Sequence, residues 1–200
     1  MFEKLARPRY SVLVKLNIRT YGDPVLREKS TQIVKITKEI RALADDMIET
    51  MHAAKGVGLA AQQVGRTEAI AVLDVPASYD VDEAGNRLHP DIPMPWALLN
   101  PEITEMSEES EACEEGCLSF PDISAPIPRA KEITLKYMDI KGAQQSIHLK
   151  EFMARAVQHE LDHLNGVLFV DRMSPLKKIA IAGQLKRLRR ETQEVLQATT

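Results

Sequence analysis

Residues 158–163 read Gln158-His159-Glu160-Leu161-Asp162-His163, two histidines four positions apart with a glutamate directly after the first. On an α-helix, positions i and i+4 lie roughly 40° apart around the axis and one turn apart along it, so both imidazoles can grip one metal ion. Glu160 then sits beside that ion without being needed as a ligand, placed to take a proton from a metal-activated water and deliver it to a leaving group. The flanks suit a helix: Phe152, Ala156, His159 and His163 fall on one face, and Asn165-Gly166 is a C-terminal stop signal. The five-residue pattern also recurs on ordinary helices, so a third ligand decides its meaning.

The extended protease pattern H-E-x-x-H-x-x-G-x-x-H is followed through Gly166, but Phe169 stands where its last histidine belongs. Glu191, the glutamate available on a later helix, lies in a charged terminal segment. Upstream, Glu115-Gly116-Cys117-Leu118-Ser119 sets a cysteine beside a glycine that lets backbone approach a small site. Cys117 as thiolate would complete a His₂Cys site with its fourth tetrahedral position open to water. The alternative is a non-enzymatic module in which Cys113, Cys117, His159 and His163 close around a structural Cys₂His₂ zinc. Against it, the 41 residues between Cys117 and His159 far exceed the about 12 to 15 of a zinc finger, and a closed site leaves Glu160 idle.

A third segment, Gly56-Val57-Gly58-Leu59-Ala60-Ala61-Gln62-Gln63, superficially matches a G-x-G-x-x-A dinucleotide loop, which must follow a strand. Residues 38–54 read instead as a helix: Thr37 is an N-cap, and Ile40, Leu43, Met47, Met51 and Ala54 recur at helical spacing. Taken by itself, Gln63 reads as a polar cap at a helix start.

The three segments GVGLAAQQ, EGCLS and QHELDHLNG, in this order, closely resemble the peptide deformylase family over roughly residues 17–175. That resemblance implies one divalent metal held by Cys117, His159 and His163, often Fe²⁺ in the cell and replaceable by Zn²⁺, Ni²⁺ or Co²⁺. It implies removal of the formyl group from formyl-methionine on nascent polypeptides. Glu160 would be the general base and acid, with the Gln63 amide and the Leu118 N–H holding the oxyanion. Substrate contacts would come from Val57, Gly58, Cys113, Glu115, Gly116 and Ala156, with Glu115 also able to act from behind the ligands. Cys113 and Arg155 depart from the aliphatic residues frequent at their family positions, near the pocket for the methionine side chain.

The remaining pattern is α+β, and the resemblance implies antiparallel or mixed sheets around a central helix bearing the histidines, followed by a C-terminal helix. Strands are expected at 69–75, 96–103, 133–140 and 147–152, the last two flanking a Lys141-Gly142 turn. Seven glutamates between Glu102 and Glu115 read as a solvated loop, and residues 76–95, with four prolines, as a disordered insertion or a segment shaping access. The layout is an N-terminal extension at 1–16, a catalytic domain at 17–173, and a basic amphipathic helix with tail at 174–200, begun near Pro175. That helix carries Lys177, Lys178, Lys186, Arg187, Arg189 and Arg190, a set suited to ribosomal RNA or simply to a solvated face.

With 200 residues and a formal charge of −3, the chain suits one domain and has no global pull toward DNA or a membrane. Two cysteines four apart make a poor disulfide framework, and a thiolate ligand fits a reducing bacterial cytoplasm. Residues 1–22 hold five basic residues against Glu3 alone, but Lys15 interrupts their apolar stretch, which argues against a signal peptide and leaves an organellar segment open.

Overall fold

Thr37 opens the first helix, its hydroxyl accepting the Ile40 N–H, and Ile40, Leu43, Ala44, Met47 and Met51 line the buried stripe of α1 (Lys38–Ala53). The computed structural model describes residues 14–198. Five strands, β1 (Gly58–Ala60), β2 (Ile70–Leu73), β3 (Trp96–Met106), β6 (Glu132–Met138) and β7 (Gln144–Lys150), form an antiparallel sheet in the order β1-β2-β3-β6-β7. The strands β4 (Ser110–Cys117) and β5 (Phe120–Ala130) make a separate two-stranded ladder.

Because neighbouring strand residues point to opposite faces, the sheet separates two helices. Leu98 joins Met153, Val157 and Leu161 of α2 (Glu151–Leu164), whereas Leu99 joins Met47, Ile70 and Val72 on the α1 side. Near its C-terminal end α2 meets the sheet through Leu164 against Ala60 and Ala71, whose small side chains bring the histidine-bearing helix close to β1. A third apolar cluster sets Phe120 and Ile127 of the ladder against Phe169 of α3 (Phe169–Arg172). The central helix is therefore held between the sheet and the β4–β5 ladder.

Several local expectations change. The last expected strand ends at Lys150: Glu151 takes a positive φ of 52°, the chain turns straight into α2, and Phe152 lies on the helix. The acidic stretch is not a loop, because β3 runs on to Met106 and β4 begins at Ser110. Glutamates tolerate those strands where they project to solvent beside suitable partners, Glu102 opposite Lys136 and Glu105 accepting the Thr134 hydroxyl at 2.9 Å. The C-terminal helix is broken at Ile181 into α4 (Pro175–Ala180) and α5 (Ala182–Ala198), since Ile181 turns inward to join Phe120 and Phe169. Ser174 and Pro175 start α4, and Thr192 of α5 bonds Thr20 at 2.6 Å, which ties that helix to the body.

The expected extension at 1–16 falls mostly outside the described residues, but Val14 N–H and Leu16 N–H donate to Asp46 and Thr50 of α1. Residues 76–95 form an ordered loop. Asp80, 1% exposed, accepts from His89 Nδ1 at 2.5 Å and from Arg87 Nε at 2.9 Å, while His89 Nε2 accepts the Lys150 N–H at 3.1 Å. An imidazole that accepts a backbone N–H at Nε2 carries its proton on Nδ1. The loop is thereby fastened to the start of α2.

Burial works against a charge on Asp80, but the hydrogen bonds from His89 and Arg87 outweigh it and hold the carboxyl below its ordinary value. A depressed folded-state pKa contributes stability above the unfolded value and loses it as pH falls through the folded one. Asp80→Asn should cost about 1–3 kcal/mol at pH 7, read by urea unfolding, and the gap to wild type should shrink below about pH 4. A gap that stays constant down to pH 3 would assign the loss to packing.

Candidate metal centre and active site

One helical turn brings His159 and His163 together, with ring centroids 5.1 Å apart. Opposite them the β4–β5 ladder shifts register after Gly116, and the resulting turn delivers Cys117, whose Sγ lies 3.2 Å from His163 Nε2. One donor atom from each of Cys117, His159 and His163 lies within 4.8 Å of the other two. Among the described residues this is the cluster able to hold a metal, and Cys113 is not part of it. The closed Cys₂His₂ arrangement therefore has no support.

Behind the ligands stands a buried chain of charges. His159 Nδ1–H donates to Glu115 Oε2 at 3.0 Å, which leaves Nε2 for the cluster. Arg129 grips both oxygens of Glu115, Nε and Nη2 each at 3.0 Å, and Arg155 Nη1 adds a third guanidinium bond at 2.8 Å. Arg129 Nη1 continues to Asp162, which Arg172 holds with two further bonds. Burial opposes charge on Glu115, but the bonds from His159 and Arg129 bring its pKa down to about 2. It is thus a fixed anion.

The donor set suits a divalent metal: one thiolate and two imidazoles leave a fourth position open. Burial holds His163 neutral, well below its ordinary pKa, which suits an imidazole ligand, while at His159 Cys117 and Glu115 overcome burial and raise it well above the ordinary value.

Glu160 is 5% exposed, and its Oε2 is buried with no partner. Burial pushes its pKa up to about 7, with His159 and Arg129 pulling the other way. Across from it lies Gly58, where a Cβ would overlap Glu160 Oε1. Gln63 sits in a 3₁₀ turn, Ala61–Val64, that follows β1. Its Oε1 accepts the Ala60 N–H at 2.8 Å, the turn-capping role, and that bond turns Nε2 toward Ser119 Oγ at 3.3 Å and Cys117 Sγ at 3.4 Å. Leu118 occupies the turn between β4 and β5, where its N–H meets no acceptor among the described residues.

These groups border one cavity of about 800 Å³, lined by Val57, Gly58, Gln63, Glu115, Gly116, Cys117, Leu118, Ala156, His159 and Glu160, with apolar wall from Phe152 and Ile123. Cys113, expected as a substrate contact, lines an adjoining cavity of about 660 Å³ that shares Arg155 and Phe152 with this one. The charges behind the ligands, Arg129, Asp162 and Arg172, were not read from the sequence. Asp162 lay within the histidine motif and was a findable signal; Arg129, on a proline-rich strand, carried none.

A family model for polypeptide deformylase matches residues 15–179. The chain is 42% identical over 185 residues to a peptide deformylase of Opitutus terrae, covering 90% of this chain and 95% of that one. It is 43% identical over 168 residues to a peptide deformylase of Thermotoga maritima, covering 84% and 93%. Among solved structures, the peptide deformylase of Ehrlichia chaffeensis superposes with a TM-score of 0.78 at 36% identity, covering 89% of this chain and 98% of that one. The Thermotoga maritima structure gives 0.70 at 41% identity, covering 81% and 99%.

Elemental analysis of purified protein should find about one metal per chain in wild type and in Cys113→Ala, and a large loss in His159→Ala, since an open site takes three protein ligands. Emptying of the site by Cys113→Ala would restore the closed arrangement.

Proposed function

The chain belongs to the peptide deformylase family, and we propose that Cys117, His159 and His163 hold its metal while Glu160, Gln63 and Leu118 act on the substrate. Members are metal-dependent enzymes that remove the formyl group from N-formylmethionine of new polypeptides, and the chain is such an enzyme. The observation that carries the residue assignment is Glu160, a buried carboxylate whose Oε2 has no hydrogen-bond partner, beside a three-donor cluster at a cavity.

Cys117, His159 and His163 would hold a divalent ion, which when bound would supply Lewis acidity to the formyl group and the attacking water. Glu160 takes the proton that this water loses as its oxygen adds to the formyl carbon. The carbonyl electron pair moves onto oxygen, where Gln63 Nε2–H and Leu118 N–H are the donors at hand. The carbon–nitrogen bond then breaks, Glu160 passes its proton to the departing nitrogen, and formate and a free amino terminus result. Burial raises the proton affinity of this carboxyl above that of an ordinary carboxylate, which suits a group that must take up a proton and hand it on. Gly58, on the edge strand β1, and neighbouring Val57 and Gly116 offer backbone to an extended peptide. Ala156 leaves room for the first side chain, and Glu115 acts through His159 and not on the substrate.

A thiolate with two imidazoles accommodates Fe²⁺, Zn²⁺, Ni²⁺ and Co²⁺; we assign Fe²⁺ as the metal in the cell and the cytoplasm as the place of action. No helix among the described residues is long and apolar enough to cross a membrane. The basic helix α5 suits the ribosome: Lys186, Arg187, Arg189 and Arg190 line one shallow groove, and the Glu191 and Glu194 pairs with Arg187 and Arg190 are exposed. Exposed pairs bind weakly and yield readily to phosphates.

Glu160→Gln should keep the metal and lower formate release from formyl-Met-Ala-Ser by about 10²- to 10⁴-fold; unaltered turnover would remove Glu160 from the chemistry. Reversing the four charges on α5 should abolish salt-sensitive cosedimentation with ribosomes and spare hydrolysis of the tripeptide. Equal retention of both proteins at low salt would refute the docking role.

A further inference from the structure

Arg155 is an unusual wall for a side-chain cavity. It sits on α2 between Phe152 and Ala156, is 9% exposed, and separates the active-site cavity from the one that holds Cys113. Buried guanidinium groups keep their charge, so their donors must be answered. Nη1 is answered twice, by Glu115 Oε1 and by the Ile127 carbonyl, each at 2.8 Å, and Nη2 by the Glu111 carbonyl at 2.6 Å. These three acceptors come from both strands of the β4–β5 ladder and fix the plane of the group. Nε–H and the second N–H of Nη2, by contrast, have no acceptor among the described residues, and Nε is not sealed from solvent.

We propose that Arg155 is a specificity-determining residue of this deformylase, presenting Nε–H to the tip of the substrate's first side chain and selecting side chains that end in a hydrogen-bond acceptor. The inference rests on the reading of the cavity as the deformylase substrate site. Beside the acidic groups Glu114 and Glu115 and the Ser124 hydroxyl, the wall near Arg155 is apolar at Phe152, Ala156, Leu118 and Ile123. A hydrocarbon tip pressed against that wall strips water from Nε–H and replaces it with nothing, and an unanswered donor is what makes a site reject an analogue. A thioether sulfur is a weak acceptor and a sulfoxide oxygen a strong one. The order of preference is therefore methionine sulfoxide, then methionine, then the isosteric hydrocarbon norleucine. The enzyme would then deformylate chains whose first methionine has been oxidised, a substrate that an all-apolar cavity disfavours.

Three tripeptides test this: formyl-Met(O)-Ala-Ser, formyl-Met-Ala-Ser and formyl-norleucyl-Ala-Ser, with kcat/KM measured from formate release. Wild type should favour the sulfoxide over norleucine by about tenfold or more. Arg155→Met keeps the bulk and removes the donor, and in it the ratio should fall below one. Because the ratio is taken within one protein, any general loss of activity cancels. A wild-type ratio at or below one overturns the proposal without reference to any variant, as does an unchanged ratio in metal-loaded Arg155→Met. A wild type that cleaves none of the three peptides overturns the assignment of the cavity itself, a result distinct from equal cleavage of all three.

Discussion

A single carboxylate organises the centre of this molecule. Glu115 accepts from His159, from Arg129 at both oxygens and from Arg155, so β4, β5 and α2 converge on one buried anion. Such a cluster costs desolvation and repays it only when its charges are paired, and here both oxygens of Glu115 are held by charged or imidazole donors. Removing one member would strand the others. The geometry of the metal ligands is therefore set by a polar core distinct from the three apolar clusters, and the apolar clusters serve to bring the ladder and α2 to the distance that core requires.

How far the sequence disclosed this depends on whether the relevant residues are neighbours in the chain. His159, Glu160 and His163 could be read directly because a helix converts their spacing into geometry without help from elsewhere. Cys117 and Gln63 came from short segments whose meaning depended on being taken together with the helix. The Arg129–Glu115 pair could not be read, since Arg129 lies opposite Glu111 in the ladder and reaches four residues along it to find its partner. Charge counting misled for the same stretch: seven glutamates suggested a loop, yet the backbone ladder forms regardless of side-chain charge where those side chains face water. The break at Ile181 likewise follows from a tertiary contact that helical periodicity does not encode.

Residues 76–95 show how a proline-rich loop can be ordered by two buried groups. Asp80 satisfies three donors and positions His89, which then accepts the first free amide before α2. A helix start lacking a side-chain cap of its own receives order from 61 residues away. The loop thus belongs to the catalytic body, and its ordering shares in fixing where the histidine helix begins.

Gly58 has a bearing on how this family of sequences can vary. Its backbone lies outside the left-handed region, so no conformational demand for glycine exists there; the demand comes from Glu160, whose carboxylate fills the space a methyl group would need. The two positions are therefore epistatic. A side chain at 58 could be seated only by pushing the Glu160 carboxylate aside, and a shorter residue at 160 would remove that conflict. A substituted residue 58 in a relative would therefore report that the carboxylate no longer stands where it does here.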